Sequence, residues 1–309
     1  MQTPDTPHPF ASALGTALLV ALAFVSGVGA VSVLDTLRSN MSQAASVAGA
    51  FSAPIVVDQN ALVAKAAIVY DPQTKRVLYE KNGYASLPLA SLTKLVTATA
   101  ILDRATGNPT ITITKDDLVK NGAVADGNFR QGDKIKLNDL LEIGLAASSN
   151  DAIRAAARTL GATYTDAMQA TVFSLGISDM EFSNGTGLDV INTVAGAYGS
   201  AYDMALITAN FAAKYPQYFN LTQKAAVTIS AGAGSVISAD ATTIPLQDLP
   251  GLRGAKTGYT DLAGGNIAAI FDLELGHPLV IIVLGSTQTA RFTDTKILLT
   301  AAREARRQQ

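Results

Sequence analysis

The stretch ASLTKLVTATAILDR, residues 90–104, sets a serine and a lysine three positions apart at the start of an otherwise apolar run. Apolar residues recur along it at helical spacing, which predicts a helix opened by Ser91. Because positions i and i+3 share one face of a helix, Ser91 and Lys94 would project side by side. A lysine beside a serine can activate it as a nucleophile, but a lone serine at this position is more often a helix cap. The rest of the chain must decide between the two roles.

The composition excludes several classes of chemistry. The chain has 309 residues, a formal net charge of −2, no cysteine and two histidines, His8 and His277. A nearly neutral chain without a basic run offers nucleic acid no electrostatic surface. Disulfides, thiolate zinc sites and a cysteine nucleophile are impossible. With one histidine in the N-terminal tail and the other in a predicted turn, both a two-histidine zinc site and a Ser-His-Asp triad lack the residues they need. We therefore expect no metal and no other cofactor, and a hydrolytic site would use lysine or a carboxylate as its base.

The N-terminal region contains an uncharged, apolar run from residue 10 to residue 34. The apolar part of a secretory signal usually has about 7–15 residues, whereas about 20 residues span a bilayer. The run therefore predicts a single-pass anchor in the cell membrane, preceded by a tail at residues 1–9. The alternative is a long signal peptide, because small-residue patterns that resemble cleavage sites end at Ala30 and Ala50. Either interpretation exports the residues that follow and makes the rest of the chain extracytoplasmic.

A tether and one globular unit follow this run. Residues 35–59 are rich in serine and alanine, which is typical of a flexible tether, and the folded domain is predicted at residues 60–309. The domain opens with two strands, around 66–70 and 76–80, that are joined by a turn. Helical patterns come next, and alternating apolar residues near the C-terminus predict more strands before a last helix from about Arg291. Strands at both ends with helices between them predict one sheet assembled from both termini.

Three short polar clusters carry the chemistry of this unit. They are Ser91-Leu92-Thr93-Lys94, Ser148-Ser149-Asn150 and Lys256-Thr257-Gly258. The first lies on a predicted helix, the second in a loop between two helical patterns at 137–145 and 151–160, and the third on a predicted strand. Each cluster alone is a common cap, loop or strand pattern. Their order and context together favour a catalytic site.

With the stretches around them, the clusters resemble the low-molecular-mass penicillin-binding proteins of the serine β-lactamase/transpeptidase superfamily, most closely the D-alanyl-D-alanine carboxypeptidases. The likeness runs from about residue 60 to the C-terminus. It implies a penicillin-binding domain of the α+β class, with an antiparallel sheet of about five strands, flanking helices and a helical subdomain. The stretches that carry it are LASLTKL (89–95), SSNDA (148–152), GLD (187–189), YGSAYDMA (198–205) and GAKTGYTDLAGG (254–265).

The resemblance also implies roles for the polar residues. Ser91 would attack the carbonyl of the penultimate D-alanine in a peptidoglycan stem peptide, and Lys94 would take the serine proton. Ser148 would relay a proton to the leaving amine. Asn150 would orient Lys94 and the substrate amide, and Lys256 would help to keep Lys94 neutral through repulsion between like charges.

Strand residues of the third cluster would bind the substrate. The resemblance assigns the terminal carboxylate to Thr257, and Gly258 would leave room for the acyl chain beside the strand. The backbone N–H groups of Tyr259 and Ser91 would stabilise the oxyanion. β-Lactam antibiotics are expected to acylate the same serine as covalent inhibitors.

Two departures from the family pattern affect these roles. Ser149 stands where relatives often have glycine, and this replacement is expected to alter the backbone conformation of the loop. Some carboxypeptidases also place an arginine upstream of the Lys-Thr-Gly lysine to pair with the substrate carboxylate, but residues 238–246, SADATTIPL, contain none. Arg253 lies three residues before Lys256, so on a strand it is expected to face the other way.

The sequence leaves three other functions open. A D,D-endopeptidase would cut peptidoglycan cross-links with the same residues. A β-lactamase needs a carboxylate that activates water, and the candidates in the middle of the chain, Asp166, Asp179, Glu181 and Asp189, show no lactamase pattern. A catalytically silent module bound to the cell wall would not need the five residues Ser91, Lys94, Ser148, Asn150 and Lys256 together.

Overall fold

The structure, a computed structural model, describes residues 54–118, 129–232, 235–274 and 276–308. By its internal contacts the chain divides into two units, Met1–Ala50 and Phe51–Gln309, and every described residue belongs to the second unit. The predicted anchor at residues 10–34 therefore lies outside the described residues. Within the four described ranges, no helix has both the length and the apolar character needed to cross a membrane.

In the described residues, the strands of the main sheet lie near the two ends of the domain, and short strands and helices lie between them. Its strands are β1 (Ala66–Asp71), β2 (Arg76–Lys81), β3 (Leu87–Pro88), β4 (Thr110–Thr112), β5 (Lys134–Lys136), β6 (Glu181–Phe182), β7 (Ala197–Gly199), β8 (Ala226–Gly232), β9 (Ser235–Asp240), β10 (Leu252–Thr260), β11 (Gly264–Asp272) and β12 (Pro278–Ser286). Its α-helices are α1 (Thr93–Leu102), α2 (Leu137–Ala146), α3 (Asn150–Ala157), α4 (Tyr164–Ser174), α5 (Ala201–Lys214), α6 (Pro216–Leu221) and α7 (Ala290–Arg307).

One five-stranded antiparallel sheet joins the two ends of the described chain. Its strand order is β10-β11-β12-β1-β2, so β1 from the start of the domain pairs with β12 from its end. The predicted sheet from both termini and the α+β class are thus confirmed. Strand β10 lies at the edge of this sheet, and one side of it is left open to the helical part of the molecule.

The burial of strand β1 shows that the sheet is covered on both faces. Every residue of β1 is buried, although a strand with one wet face would alternate between buried and exposed residues. Ala66, Ile68 and Tyr70 pack into one apolar cluster with the helices α1 to α5, whereas Ala67 and Val69 pack into a second cluster with α7. The sheet is therefore a middle layer between two helical layers.

The packed unit extends to residues before position 60. Ile55, within the segment interpreted as a tether, is buried, and its backbone N–H donates to the Leu78 carbonyl at 2.9 Å. Ile55 also joins the apolar cluster on the α7 face of the sheet. The side chains of Ile55 and Leu62 are equally buried and thus attach this segment to the domain.

Candidate active site

Ser91 and Lys94 face each other as the sequence predicts. Lys94 is fully buried, and its Nζ lies 2.7 Å from Ser91 Oγ, 2.8 Å from Asn150 Oδ1 and 2.9 Å from the Thr186 carbonyl oxygen. Three acceptors match the three protons of an ammonium. When Lys94 is a neutral amine, it can donate to Asn150 and Thr186 and accept the hydroxyl proton of Ser91. The geometry therefore suits a base beside a nucleophile.

The backbone at Ser91 differs from the predicted helix start. Ser91 lies in a 3₁₀ turn, Ala90–Leu92, and α1 begins only at Thr93. Ala90 has a φ of 47°, a left-handed conformation that non-glycine residues seldom adopt and that occurs mostly at functional sites. Gly187 packs against this turn so closely that a Cβ there would lie 1.8 Å from the Ala90 carbonyl oxygen. The Ser91 hydroxyl thus contacts Lys94 and does not cap the helix.

The second cluster forms the loop between α2 and α3, as predicted. Ser148 is buried with a φ of 64°, another strained position for a residue with a side chain. Ser149 has φ −57° and ψ 124°, which any residue adopts, and its hydroxyl caps α3 by accepting from the Ala152 N–H. The serine that replaces the family glycine therefore causes no strain and stabilises the start of α3. Asn150, the first residue of that helix, points its Oδ1 at Lys94.

Lys256 brings the third cluster to the second. It is fully buried on β10, and its Nζ donates to Ser148 Oγ at 2.8 Å and to the Thr257 carbonyl at 2.8 Å. Burial holds the pKa of Lys256 well below its usual value, and the positive charges of Lys94 and Arg291 lower it further. Because the amines of Lys94 and Lys256 repel a second positive charge, the pair is suited to sharing one proton and transferring it.

The open edge of β10 lies against the nucleophile. A Cβ at Gly258 would lie 3.0 Å from the Ser91 backbone nitrogen, so only glycine lets the strand come this close. The Thr257 hydroxyl is 2.6 Å from the Thr242 hydroxyl, and the Tyr259 side chain is 46% exposed. Hydrogen bonds thus join Lys94 to Ser91 and Asn150, and Lys256 to Ser148, while the backbone of β10 at Gly258 lies against Ser91. The structure adds Thr242 as the partner of Thr257.

Nearby arginines have other partners. The guanidinium group of Arg253 lies 3.8 Å from the Asp272 carboxylate and stays partly exposed, in agreement with its odd spacing from Lys256. Arg291 is buried and donates to the Gly258 carbonyl at 2.7 Å. In the sequence, no arginine or lysine occurs from residue 225 to residue 252. In place of a cation, this segment brings the Thr242 hydroxyl beside Thr257.

Sequence reasoning did not assign a role to the loop at residues 183–189. Asn184 Oδ1 accepts from the Thr186 N–H, the Thr186 hydroxyl and the Gly187 N–H, and its Nδ2 donates to the Leu188 carbonyl. This side chain organises the turn that presents the Thr186 carbonyl to Lys94. The turn-rich stretch SNGTGLD was visible in the sequence, but the pattern does not reveal that a main-chain oxygen would contact the lysine.

The carboxylates considered for a β-lactamase have other surroundings. Asp189 accepts from the Thr260 hydroxyl at 2.9 Å and from the Leu262 N–H at 3.3 Å, which ties its loop to the end of β10. Asp179 accepts from the Ser178 hydroxyl, and Glu181 is exposed on β6. Asp166 lies in the first turn of α4. The contacts and positions given for these four carboxylates thus do not indicate that any of them activates water.

Comparisons with known proteins agree with this geometry. Residues 53–288 match the family described as D-alanyl-D-alanine carboxypeptidase, Peptidase_S11. The D-alanyl-D-alanine carboxypeptidase DacF of Bacillus subtilis is 29% identical over 203 residues, which cover 64% of this chain and 51% of DacF. A D-alanyl-D-alanine endopeptidase of Haemophilus influenzae is 26% identical over 247 residues, covering 76% of this chain and 81% of that protein.

A solved structure shares the fold. Penicillin-binding protein D2 of Listeria monocytogenes, in its ampicillin-bound form, superposes with a TM-score of 0.67 at 29% identity, covering 78% of this chain and 97% of the other. The chain spans about half the length of the Bacillus relative, whereas it matches nearly all of the Listeria structure. The superposition thus supports the fold of most of the chain.

Proposed function

The chain belongs to the D-alanyl-D-alanine carboxypeptidase family, and from this premise we propose that it is a serine-type hydrolase that removes the terminal D-alanine from peptidoglycan stem peptides. The observation that carries the proposal is the position of Lys94 Nζ, 2.7 Å from Ser91 Oγ and 2.8 Å from Asn150 Oδ1. A buried amine in contact with a hydroxyl has the geometry of a base and its nucleophile.

In the proposed reaction Ser91 forms an ester with the penultimate D-alanine. The neutral amine of Lys94 takes the hydroxyl proton as Ser91 Oγ attacks the carbonyl carbon. The C–N bond to the last D-alanine then breaks, and its nitrogen receives a proton from Ser148, which Lys256 resupplies through the contact at 2.8 Å. Water then attacks the ester carbonyl and gives one proton back to Lys256 through Ser148, the C–O bond to Ser91 breaks as the Lys94 ammonium returns its proton to Oγ, and the shortened peptide leaves as a carboxylic acid that ionises in solvent. Each step moves one proton between groups already in contact or in contact with substrate.

The proposed site for the substrate carboxylate is the hydroxyl pair of Thr242 and Thr257. Their oxygens are 2.6 Å apart, and a carboxylate can replace that contact by accepting from both hydroxyls. Neutral donors bind a carboxylate less strongly than an arginine does. The same pair can also donate to the carboxylate of a cross-linked residue, so the D,D-endopeptidase remains the second candidate, supported by the Haemophilus relative.

We predict that the purified chain releases D-alanine from a pentapeptide ending in D-Ala-D-Ala. The matched control is the same peptide with a C-terminal L-alanine, whose methyl group points the other way in the groove, and which should be cleaved at a background rate. Chromatography of the products and an enzymatic assay for D-alanine measure both. A chain that cleaves only cross-linked muropeptide dimers would replace the carboxypeptidase with the endopeptidase.

We further propose that residues 10–34 anchor the protein in the cell membrane with the enzymatic domain outside the cytoplasm. The support is the uncharged run itself, which is longer than the apolar part of a secretory signal. The full-length protein should stay in the membrane fraction after a high-salt wash, and external protease should reach its domain in intact spheroplasts. Recovery of a soluble mature chain that starts near Val31 or Phe51 would contradict the anchor and indicate a cleaved signal.

A further inference from the structure

Arg291 is a buried arginine with an unusual environment. It is the second residue of α7, its side chain is 7% exposed, and its Nη1 donates to the Gly258 carbonyl at 2.7 Å. No carboxylate of the described ranges forms an ion pair with it. The acid nearest in sequence on its helix, Asp294, accepts instead from the N–H groups of Val63 and Ala64 and from the Ser286 hydroxyl.

Burying this guanidinium opposes folding. Burial lowers the pKa of Arg291 to about 10, so the group still carries its charge at neutral pH. Its Nε has no hydrogen-bond partner. A buried charge is normally paired with an opposite charge, whereas here the guanidinium has one main-chain carbonyl as its acceptor and lies over the Phe292 ring, 4.8 Å from its centroid. Neither contact replaces an opposite charge, so the peptide group that the guanidinium contacts becomes the point of interest.

That peptide group joins Gly258 to Tyr259. In a trans peptide the C=O and the N–H point in opposite directions. A guanidinium that holds the Gly258 oxygen on one side therefore holds the Tyr259 N–H on the other. Gly258 itself lies against the backbone of Ser91, since a Cβ there would be 3.0 Å from the Ser91 nitrogen. The Tyr259 N–H is one of the two donors assigned to the oxyanion.

We propose that Arg291 is a positioning residue for the oxyanion site, where its guanidinium orients and polarises the peptide between Gly258 and Tyr259. A positive charge on the carbonyl oxygen draws electrons from the nitrogen and strengthens its N–H as a donor. The gain appears when charge develops on the substrate oxygen, which is where fixed donors contribute most to rate. This inference rests on the proposed acylation of Ser91 but adds a residue that does not touch the substrate.

The test replaces Arg291 with methionine and with lysine and measures acylation by a penicillin. Because removing a whole oxyanion donor costs about 10²–10³ in rate, weakening one should slow acylation by Arg291→Met about tenfold to a hundredfold. Arg291→Lys keeps the charge and should recover part of the loss. The ester carbonyl of the acyl-enzyme, labelled with ¹³C, should absorb at higher infrared frequency in Arg291→Met, because weaker donors leave the C=O bond stronger. Arg253→Met is the matched control. It removes a partly exposed arginine of β10, the strand that carries Gly258, and should leave the carbonyl band in place.

Three outcomes would overturn the proposal. Slower acylation with an unshifted carbonyl band would mean that Arg291 only supports the fold, and thermal unfolding of each variant checks this. A displaced pH profile with an unshifted band would mean that Arg291 acts through the pKa of Lys256. Unchanged acylation would remove the role altogether. Failure of the proposed function looks different, because the unmodified protein would then form no penicillin adduct at all.

Discussion

Replacing Ser91 with alanine should abolish the covalent adduct that we expect the unmodified chain to form with a penicillin. Intact-mass spectrometry should show the unmodified chain gaining the mass of the drug, and peptide mapping should place it on Ser91. The variant should show no such gain, and its release of D-alanine should fall by at least about 10⁴-fold, as when the nucleophile of other serine hydrolases is removed. The physical reason is that the substitution removes the hydroxyl oxygen that would attack the substrate and whose proton the Lys94 amine would take.

The matched control for this substitution is Ser178→Ala. Ser178 is exposed and donates to the neighbouring Asp179, so its loss should leave both acylation and the fold unchanged. The fold of Ser91→Ala should also survive, because Lys94 keeps Asn150 and the Thr186 carbonyl as partners. An adduct of the same mass on Ser91→Ala would show that another group is the nucleophile.

Replacing Lys256 with methionine should separate activity from stability. The variant loses the proton supply to Ser148, and we expect acylation to fall by about 10²–10⁴, the usual contribution of a positioned acid or base. Its effect on the free energy of unfolding should depend on pH. Methionine fills similar space without a charge, so below the lowered pKa of Lys256 the variant avoids the full cost of a buried ammonium.

The sign of this pH dependence follows from the lowered pKa. Between the folded pKa of Lys256 and its unfolded value near 10.5, the unfolded wild type binds more protons than the folded one. Over that range the stability of the wild type rises with pH relative to the variant. The difference in unfolding free energy, variant minus wild type, should therefore shrink as pH rises toward 10.5, as urea denaturation at several pH values would measure.

The exposed lysine Lys296 on α7 provides the control. Lys296→Met should change neither the acylation rate nor the pH dependence of unfolding. A variant-minus-wild-type difference for Lys256→Met that stays constant from neutral pH to 10.5 would contradict a lowered pKa. Full acylation by Lys256→Met would contradict its role in the proton path.

The sequence predicted the sheet and the closeness of Ser91 to Lys94 well, because short motifs and strand periodicity are local. The hairpin of β1 and β2, the loop at Ser148 and the sheet from both termini all follow from alternation, turn residues and helical spacing. The contact of Lys94 with Ser91 follows from the i, i+3 geometry of a helical turn. These features need no knowledge of what packs on them.

Other features depend on contacts between distant segments. The left-handed Ala90 follows from the close packing of Gly187, and nothing within residues 90–104 signals it. The pairing of Thr242 with Thr257 arises because the segment after β9 passes beside β10, which periodicity cannot show. Arg291 reads in the sequence as an ordinary charged residue near a helix start, and only its burial reveals its contact with Gly258.

The pairing of β1 with β12 determines when the candidate active site can form during folding. Lys256 and Ser148 lie 108 residues apart in sequence, and Ala66 aligns with Leu284 across the sheet. Such long-range pairs form late, since the chain must close large loops before they contribute stability. A chain synthesised or exported from its N-terminus therefore presents Ser91 long before β10 can reach it. If the proposed function holds, a chain synthesised only as far as residue 250 is expected to be inert toward both substrate and antibiotic.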